Sequence, residues 1–269
     1  MTDRYAVIGN PVAHSKSPMI HAAFARQTGE AMDYVRLEAP LDGFAEALGD
    51  FFATGGRGCN VTVPFKEQAY RLAGHLNERA RQAGAVNTLW QDERGWVGDN
   101  TDGVGLVRDL MRHTQLAGKQ IMLLGAGGAA RGAIGPLLAE GPTQLIIANR
   151  SIDKAEQLAA HFADLGTLKA ACFEDLTAPA DIVINATSAS LAGTTLPLPE
   201  GLWHAGTLAY DMMYGATSTP FLLQAEQAGA GQCLDGLGML VEQAAEAFFL
   251  WRGIRPETAS VLRDLRAAL

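Results

Sequence analysis

A glycine-rich turn in the middle of the chain most narrows what this sequence can fold into. The apolar run Ile121–Leu124 leads directly into the letters GAGGAA, residues 125–130, and a helical pattern follows. This fits the pattern G-x-G-x-x-G/A. The first glycine permits a tight turn, the second lets a ligand approach the backbone closely, and the small third residue lets the helix pack against the strand. A simple tight turn is the other interpretation, but the flanking strand and helix favour a dinucleotide-binding turn.

Further apolar runs repeat this unit along the second half of the chain. They lie at Leu145–Ala148, Ile182–Ile184 and Leu208–Tyr210, and helical patterns separate them. Strands that alternate with helices are typical of a parallel sheet covered on both faces. We therefore predict the α/β class, with a Rossmann-type doubly wound lobe here.

The N-terminal part of the chain shows a similar alternation. Strands are predicted at five places: Tyr5–Ile8, Tyr34–Leu37, Asn60–Val63, Ala85–Trp90 and Trp96–Val97. Pro18 favours the start of a helix, because proline suits the first helical turn. The last 33 residues carry an apolar stripe at helical spacing. These patterns predict an N-terminal α/β lobe and a C-terminal helix that packs back on it.

The composition limits the partners of the chain. Its 21 Lys and Arg against 29 Asp and Glu give a net charge of −8, which argues against binding of nucleic acid or an anionic membrane surface. The three cysteines form no C-x-x-C pair, and no His and carboxylate spacing indicates a metal site. The N-terminus lacks a basic-then-apolar targeting pattern. We expect a cytoplasmic protein with no metal and a small-molecule partner.

The residues after the second strand of the Rossmann pattern indicate which dinucleotide binds. An NAD site places Asp or Glu there, on the ribose 2′-hydroxyl. This chain has Asn149, Arg150 and Ser151, with Lys154 one turn later. A guanidinium and an ammonium suit a 2′-phosphate, although a solvated basic helix start is the plainer interpretation. The pattern favours NADP.

Four short polar motifs gather functional side chains in the first lobe. They are GNPVAHSKSP at 9–18, NVTVPFK at 60–66, GAVNT at 84–88 and GDNTDG at 98–103. Alternation along a strand places Asn60 and Thr62 on one face. His14 and His21 have no partner nearby in the sequence, so we interpret both as incidental.

With these motifs in order, the chain resembles the shikimate dehydrogenase family over essentially its whole length. Four more motifs add to the resemblance: ANRS at 148–151, NATS at 185–188, DMMY at 211–214 with TPFL at 219–222, and GLGMLVEQAAEAF at 236–248. The resemblance implies NADP-dependent reduction of 3-dehydroshikimate to shikimate in the pathway to chorismate and the aromatic amino acids. One departure is Ala189-Ser190, where many relatives carry a glycine near the nicotinamide.

The resemblance also implies a role for each matching position. The catalytic pair would be Lys66 and Asp102. The substrate carboxylate would be bound by Ser15, Ser17 and Tyr214. The ring hydroxyls would be bound by Thr62, Asn87 and Gln243. We add Asn60 to the substrate-binding residues. The cofactor pyrophosphate would bind Gly125, Ala126, Gly127, Gly128 and Ala129; the 2′-phosphate Asn149, Arg150, Ser151 and Lys154; and the nicotinamide side Thr187, Met212 and Gly236.

Ketone chemistry explains the need for the proposed pair. Hydride transfer to a ketone leaves an alkoxide that must be protonated, so a proton donor must lie beside the carbonyl. Lys66 follows Pro64 and Phe65 and is predicted in the first turn of a helix, and Asp102 is predicted to begin another helix. Taken singly, Lys66 fits an exposed helix lysine and Asp102 a helix cap. The surrounding motifs favour the catalytic interpretation.

The domain plan and the alternatives complete these expectations. We predict a substrate-binding domain over 1–101, an NADP-binding Rossmann domain over 102–236, and C-terminal helices over 237–269 that return to the first domain. Two other functions stay open: a quinate/shikimate dehydrogenase with relaxed cofactor use, and a non-catalytic NADP(H)-sensing module. We expect a monomer or a homodimer.

Overall fold

The computed structural model describes residues 2–269 and divides them into two compact units. Unit 1 contains the chain up to Gly105 together with Val241–Ala267, and unit 2 contains Leu106–Leu240 with the last two residues.

Unit 1 is built on a mixed six-stranded sheet with the order β2-β1-β3-β5-β6-β4. Its strands are β1 Asp3–Gly9, β2 Met32–Glu38, β3 Gly56–Val61, β4 His75–Leu76, β5 Thr88–Asp92 and β6 Gly95–Asp99. Strand β1 pairs in parallel with β2 and β3, whereas β5 is antiparallel to both β3 and β6. The helices that lie wholly in this unit are α1 Ser17–Thr28, α2 Phe44–Ala53, α3 Lys66–Leu72, α4 Glu78–Ala83 and α10 Ala259–Ala267.

Unit 2 contains a six-stranded parallel sheet with the order β12-β11-β10-β7-β8-β9. Its strands are β7 Gln120–Leu124, β8 Gln144–Ala148, β9 Leu168–Ala171, β10 Ile182–Asn185, β11 Leu208–Asp211 and β12 Gln232–Asp235. Its helices are α6 Gly128–Ala139, α7 Ile152–His161 and α8 Pro220–Gln227, with short 3-10 helices at Ala163–Leu165, Phe173–Asp175 and Glu200–Leu202. Read from one edge, this is the strand order 3-2-1-4-5-6 of the dinucleotide-binding fold. The predicted Rossmann-type lobe is confirmed.

Two helices contain points at which the chain passes from one unit to the other. Helix α5 covers Asp102–Met111, and helix α9 covers Leu237–Arg252. The part of α9 in unit 1 buries Val241, Ala244 and Phe248 completely. The indole N–H of Trp251 also donates to the carbonyl of Leu89, at 3.2 Å. The predicted return of the C-terminal helix to the first lobe is confirmed.

The apolar runs fold as strands because both of their faces are covered. In β7, Ile121 and Leu123 pack into one core cluster and Met122 and Leu124 into another, on the opposite face of the sheet. Successive side chains of a strand point to opposite faces. A strand buried on both faces must therefore be apolar throughout, which is the pattern of Ile121–Leu124.

Two strand predictions were wrong at their ends. The strand predicted at Asn60–Val63 already ends at Val61, because the carbonyl of Val63 accepts instead from the backbone N–H of Asn10, outside the sheet. The strand predicted to begin at Ala85 begins at Thr88, since the N–H of Val86 donates to the carbonyl of Lys66. Among residues 2–269, no helix is long and apolar enough to cross a membrane.

Candidate active site

In unit 1 the polar motifs meet at the edge where β1 and β3 end. Ile8 pairs with Val61, and the loops that follow are joined by a hydrogen bond from Asn10 N to the Val63 carbonyl, at 3.0 Å. A Cβ atom on Gly9 would lie 2.4 Å from Cγ2 of Thr62. Glycine at this position therefore permits the close approach of the two loops, and it places Thr62 beside the loop that leads to Ser15.

Ser15 and Ser17 form a compact hydroxyl pair immediately before and at the start of α1. Their Oγ atoms lie 3.2 Å apart, and the backbone N–H of Ser17 donates to Ser15 Oγ at 3.3 Å. The guanidinium of Arg36 donates twice to the carbonyl of Ser15, from Nε at 3.0 Å and from Nη2 at 2.6 Å. The turn is thus held from two sides, with its hydroxyls at a helix N-terminus.

Lys66 and Asp102 form an ion pair between the first residues of two helices. Lys66 begins α3 and Asp102 begins α5, which confirms both predicted helix starts. Nζ of Lys66 lies 2.6 Å from Oδ2 of Asp102, and the two side chains are 31% and 21% exposed. A short ion pair that is still partly open to solvent can be reached by a ligand.

Asn87 connects this pair to the neighbouring residues. Its Nδ2 donates to Asp102 Oδ1 at 2.8 Å and to Thr101 Oγ1 at 3.0 Å, while its Oδ1 accepts from the backbone N–H of Thr101. Oε1 of Gln243, on α9, lies 3.4 Å from both Asn87 Nδ2 and Thr101 Oγ1. The structure therefore brings together four residues: three predicted ones and Thr101, which sequence reasoning missed although the DNT motif contains it.

Asn60 has a different environment from the other candidates. Its Oδ1 accepts from the Tyr34 hydroxyl at 2.7 Å, and its Nδ2 donates to the Asn87 carbonyl and to Thr88 Oγ1. Both amide hydrogens are therefore used within the protein. This geometry suits support of Asn87 better than donation to a ligand.

A buried charge cluster holds the segment that leads to Asp102. Asp99 is fully buried and accepts two hydrogen bonds from Arg79, at 3.1 and 2.6 Å. Nη1 of Arg79 also donates to Glu246 on α9, at 2.8 Å. Burial lowers the pKa of the Arg79 guanidinium, but the hydrogen bonds and opposite charges of Asp99 and Glu246 outweigh burial, so the pKa lies above its usual range. Sequence reasoning missed this cluster because its members are up to 167 residues apart.

Unit 2 contains a cavity of about 620 Å³ beside the glycine-rich turn. All five predicted pyrophosphate residues line it: Gly125, Ala126, Gly127, Gly128 and Ala129. Gly125 has φ +110°, and a Cβ there would lie 3.1 Å from Cγ2 of Thr187. Nothing lies within 4 Å of a Cβ on Gly127 or Gly128, so this stretch is open to a ligand. The turn and the N-terminus of α6 fit a dinucleotide pyrophosphate.

The predicted 2′-phosphate residues follow β8 in unit 2. Asn149 and Arg150 line the same cavity. Ser151 is the N-cap of α7, and its carbonyl accepts from Asn149 Nδ2 at 3.0 Å. Lys154 is exposed in the first turn of α7, where Asp153 lies as well. Ser151 and Lys154 are not part of the lining, so the structure places two of these four residues at the cavity and two next to it in the chain.

A buried carboxylate fastens the loops after β10 and β11. Asp211 accepts hydrogen bonds from Asn185 at 3.1 Å, from Ser190 at 2.5 Å and from Thr219 at 2.6 Å. The backbone N–H and hydroxyl of Thr187 both donate to Oδ1 of Asn185. Ser190 belongs to the pair Ala189-Ser190, which departs from the expected pattern, and its hydroxyl forms a hydrogen bond that a glycine could not form. Sequence reasoning missed Asp211 as the centre of this network, although it begins the DMMY motif.

Three further predicted residues lie near this network. The backbone N–H of Met212 donates to the Asn185 carbonyl, and Gly236 N donates to the Met213 carbonyl. A Cβ on Gly236 would lie 2.2 Å from the carbonyl oxygen of Met212, so only glycine fits. Tyr214 follows in unit 2, where burial and then Asp235 raise the pKa of its phenol. The phenol therefore stays protonated and can donate at neutral pH.

The two histidines of the GNPVAHSKSP region and its helix differ in environment. His14 is exposed, whereas His21 is completely buried and stacks on Tyr34 with ring centroids 4.2 Å apart. Burial lowers the pKa of His21 to about 3, with Asn60 acting against the shift. Neither ring nitrogen has a hydrogen bond of normal geometry to the described residues. Within residues 2–269, no group of three or more His, Cys, Asp or Glu side chains could hold a metal ion.

Comparison with known families gives matches along the chain. A model described as the shikimate dehydrogenase substrate binding domain matches residues 7–89. A model for shikimate / quinate 5-dehydrogenase matches residues 107–195. A third, for the shikimate 5′-dehydrogenase C-terminal domain, matches residues 236–266.

Individual proteins are similar over the full length. Shikimate dehydrogenase (NADP(+)) of Dechloromonas aromatica is 62% identical over 272 residues, covering 100% of this chain and 99% of that protein. The crystal structure of shikimate 5-dehydrogenase from Thermus thermophilus in complex with NADP(H) and shikimate is 33% identical, covers 100% of both chains and has a TM-score of 0.89. A ligand-free 5-ketofructose reductase of Gluconobacter sp. strain CHM43 is 30% identical, covering 100% of this chain and 99% of that one, with a TM-score of 0.90.

Proposed function

The chain belongs to the shikimate dehydrogenase family, and from this premise we propose that it catalyses the reversible NADPH-dependent reduction of 3-dehydroshikimate to shikimate. The observation that carries the proposal is the short, partly open ion pair of Lys66 and Asp102. A protein that only sensed NADP(H) would need no such pair. The reaction belongs to the pathway that leads to chorismate and the aromatic amino acids.

The chemistry of the pair follows from charge and geometry. Bound NADPH supplies the hydride that reduces the ketone carbon. Lys66 donates a proton from its ammonium to the carbonyl oxygen, because the alkoxide that forms must be neutralised. Asp102 holds the ammonium through the 2.6 Å contact, and its other oxygen is fixed by Asn87 at 2.8 Å. In the oxidation of shikimate, the lysine amine accepts the same proton from the hydroxyl.

The remaining substrate-binding candidates, which lie in unit 1 except for Tyr214, bind and orient the substrate in this proposal. Ser15 and Ser17 donate to the carboxylate, together with the protonated phenol of Tyr214. Thr62 and Gln243 hold ring hydroxyls, as does Asn87 beside the pair. Asn60 supports Asn87 through the hydrogen bond of its Nδ2 to the Asn87 carbonyl, so its part is to fix the site.

Backbone groups and cations bind the cofactor in this proposal. The N–H groups of residues 125–129 hold the pyrophosphate at the N-terminus of α6. The 2′-phosphate is bound by Asn149, Arg150, Ser151 and Lys154. The nicotinamide side is formed by Thr187, Met212 and Gly236, whose loops are tied to Asp211 and Asn185.

The roles of the domains, the cellular location and the oligomeric state belong to the same proposal. Residues 1–101 act as the substrate-binding domain, 102–236 as the NADP-binding domain, and 237–269 as helices that complete the first. The protein acts in the cytoplasm, as a monomer or a homodimer, which sedimentation of the purified chain distinguishes.

A substrate and cofactor matrix tests the function. Purified protein is assayed for reduction of NADP⁺ and NAD⁺ with shikimate and with quinate, and for oxidation of NADPH with 3-dehydroshikimate and with 5-ketofructose. We expect turnover with the shikimate pair and NADP(H), and weak turnover in the other combinations. Comparable rates with quinate and NAD⁺ would favour the quinate/shikimate alternative. Tight NADPH binding without any turnover would favour the sensing module, and preference for 5-ketofructose would contradict the substrate assignment.

A further inference from the structure

Arg36 lies beside the hydroxyl pair of Ser15 and Ser17 and has no role in the function described so far. Its Nε and Nη2 atoms donate to one carbonyl oxygen, that of Ser15, at 3.0 and 2.6 Å. A carbonyl oxygen and the Oγ of the same serine are separated by only a few bonds, roughly 4 Å. A carboxylate bound by the Ser15 hydroxyl would therefore lie within about 10 Å of the guanidinium, since the hydrogen bond at each end adds about 3 Å.

The position of Arg36 is set by the sheet. Arg36 pairs with Val7 in the parallel ladder of β1 and β2. Tyr34, two residues earlier, lies on the same face of β2, because strand side chains alternate. The Tyr34 hydroxyl donates to Asn60 at 2.7 Å, while Arg36 donates to Ser15. One face of β2 thus contacts two residues of the substrate site.

The charge of Arg36 is available to a ligand. Six other arginines of unit 1 pair with a carboxylate: Arg57, Arg79, Arg81, Arg94, Arg252 and Arg255. Arg36 differs from these six, because its hydrogen bonds go to a neutral carbonyl and it forms no ion pair with a carboxylate of residues 2–269. The first turn of α1 contains no acidic residue either.

This positive charge resolves a difficulty of binding an anion. The chain has a net charge of −8, and the charge of Lys66 is balanced by Asp102 at 2.6 Å. Two serine hydroxyls alone are neutral donors, which bind a carboxylate more weakly than charge-assisted partners do. A cation close to the hydroxyls supplies the attraction that they lack.

We infer that Arg36 is a specificity-determining residue, whose guanidinium charge favours an anionic carboxylate at Ser15 and Ser17 over a neutral group. This inference rests on the proposed function, since shikimate supplies the carboxylate. Arg36 acts on binding and not on the transfer of hydride or proton, because its hydrogen bonds go to the Ser15 carbonyl and to none of the residues around Lys66.

Equilibrium binding of two ligands to three variants tests the inference. Shikimate and its uncharged methyl ester are titrated into wild type, Arg36→Gln and Arg36→Lys at about 20 mM salt, where screening is weak. Arg26→Gln is the matched control, because Arg26 is an exposed arginine in the last turn of α1. Steady-state kinetics of the same variants give KM for shikimate and kcat separately.

The expected result is a loss that depends on the charge of the ligand. Arg36→Gln should weaken shikimate binding about three- to tenfold and the methyl ester less than about twofold. Arg36→Lys should lose less than Arg36→Gln because it keeps the charge, and the loss in both should shrink as salt is added. KM for shikimate should rise in parallel with kcat unchanged, and Arg26→Gln should match wild type.

Two results would overturn the inference, and they differ from failure of the proposed function. Equal weakening of both ligands by Arg36→Gln would show that Arg36 only supports the turn. Unchanged affinity for shikimate would show that its charge has no part in binding. If wild type itself neither binds nor oxidises shikimate, the proposed function fails, whatever the variants do.

Discussion

The two candidate sites of this molecule are built in opposite ways. In unit 1, the groups around Lys66 and Asp102 are side chains that hydrogen-bond to one another, and Asn87 and Thr101 are almost completely buried. In unit 2, the cavity is formed by a glycine turn, and Arg150 beside it is exposed. Chemistry depends on side-chain position in the first site and on backbone shape in the second.

This difference predicts which substitutions each site tolerates. An isosteric change in unit 1 alters a buried network that must hold a proton donor in place, so it should affect kcat. A change in unit 2 should affect cofactor affinity, through the shape of the glycine turn or through the charge of Arg150 at the cavity. The predictions below test this division, beginning with the largest expected effect.

Loss of the proton donor should have the largest effect. Lys66→Ala should lower kcat about 10²- to 10⁴-fold, because the alkoxide then has no positioned proton donor. The Kd of NADPH, measured by the fluorescence of the bound cofactor, should change less than about twofold. Comparable losses in kcat and in NADPH affinity would contradict the separation of the two sites.

Burial of His21 should make unit 1 sensitive to acid. The pKa of His21 is lowered from 6.5 to about 3 by burial. At a pH between these two values, the imidazole is protonated in the unfolded chain and neutral in the folded protein. The contribution of neutral His21 to the free energy of unfolding is therefore complete above pH 6.5. It declines as the pH falls, by about 2 kcal/mol between pH 7 and pH 5.

His21→Phe measures this contribution. Phenylalanine keeps an aromatic ring within the cluster of Phe24, Tyr34 and Phe248 but cannot be protonated. The free energy of unfolding, measured by denaturant at pH 7 and pH 5, should fall by about 2 kcal/mol less in the variant than in wild type. Identical pH dependence of the two proteins would show that His21 is not held neutral.

A side chain in the glycine turn should weaken cofactor binding. Gly125→Ala places a Cβ at φ +110° and 3.1 Å from Thr187, a backbone region that costs alanine about 1 to 3 kcal/mol. NADPH affinity should fall about tenfold or more, with the shikimate Kd unchanged. Gly141→Ala is the control, because its φ is +68° and nothing lies within 4 Å of the new Cβ; equal effects of the two changes on NADPH would refute the role of the turn.

Removal of the positive charge of Arg150 should weaken the preference of the enzyme for NADP⁺ over NAD⁺. Arg150→Gln should raise the KM for NADP⁺ about tenfold and leave the KM for NAD⁺ unchanged, since only NADP⁺ carries the 2′-phosphate. Lys169→Gln removes an equal charge from an exposed position of β9 and should leave the KM of both cofactors unchanged. Parallel changes for both cofactors would place Arg150 away from the phosphate.

The smallest effect is expected at Ser190. Ser190→Gly removes one hydrogen bond to Asp211, which keeps those from Asn185 and Thr219. The KM for NADPH should rise about two- to fivefold, as expected for loss of one hydrogen bond. Ser218→Ala, at an exposed position, is the matched hydroxyl deletion and should leave the KM unchanged. A large fall in kcat in Ser190→Gly would contradict a role limited to the cofactor loops.

The same contrast explains how much could be predicted from the sequence. The glycine turn of unit 2 and the helix starts at Lys66 and Asp102 are local features, and each stands beside its own signal in the chain. The cluster of Arg79, Asp99 and Glu246 is not local, because its hydrogen bonds span 20 and 167 residues. The contact of Arg36 with Ser15 likewise depends on which strands become neighbours. Strand ends were misplaced where backbone groups bond outside the sheet.

The central claim is that the side-chain network of unit 1 controls the chemical step independently of cofactor binding. Asp102→Asn tests it most directly, since asparagine keeps the shape of the residue but removes the charge that holds Lys66 at 2.6 Å. A single turnover of NADPH with 3-dehydroshikimate, followed by stopped flow, gives the rate of the chemical step and the NADPH Kd in one titration. We predict a rate at least about tenfold lower with an unchanged NADPH Kd. An unchanged rate, or a fall matched by weaker NADPH binding, would contradict the account.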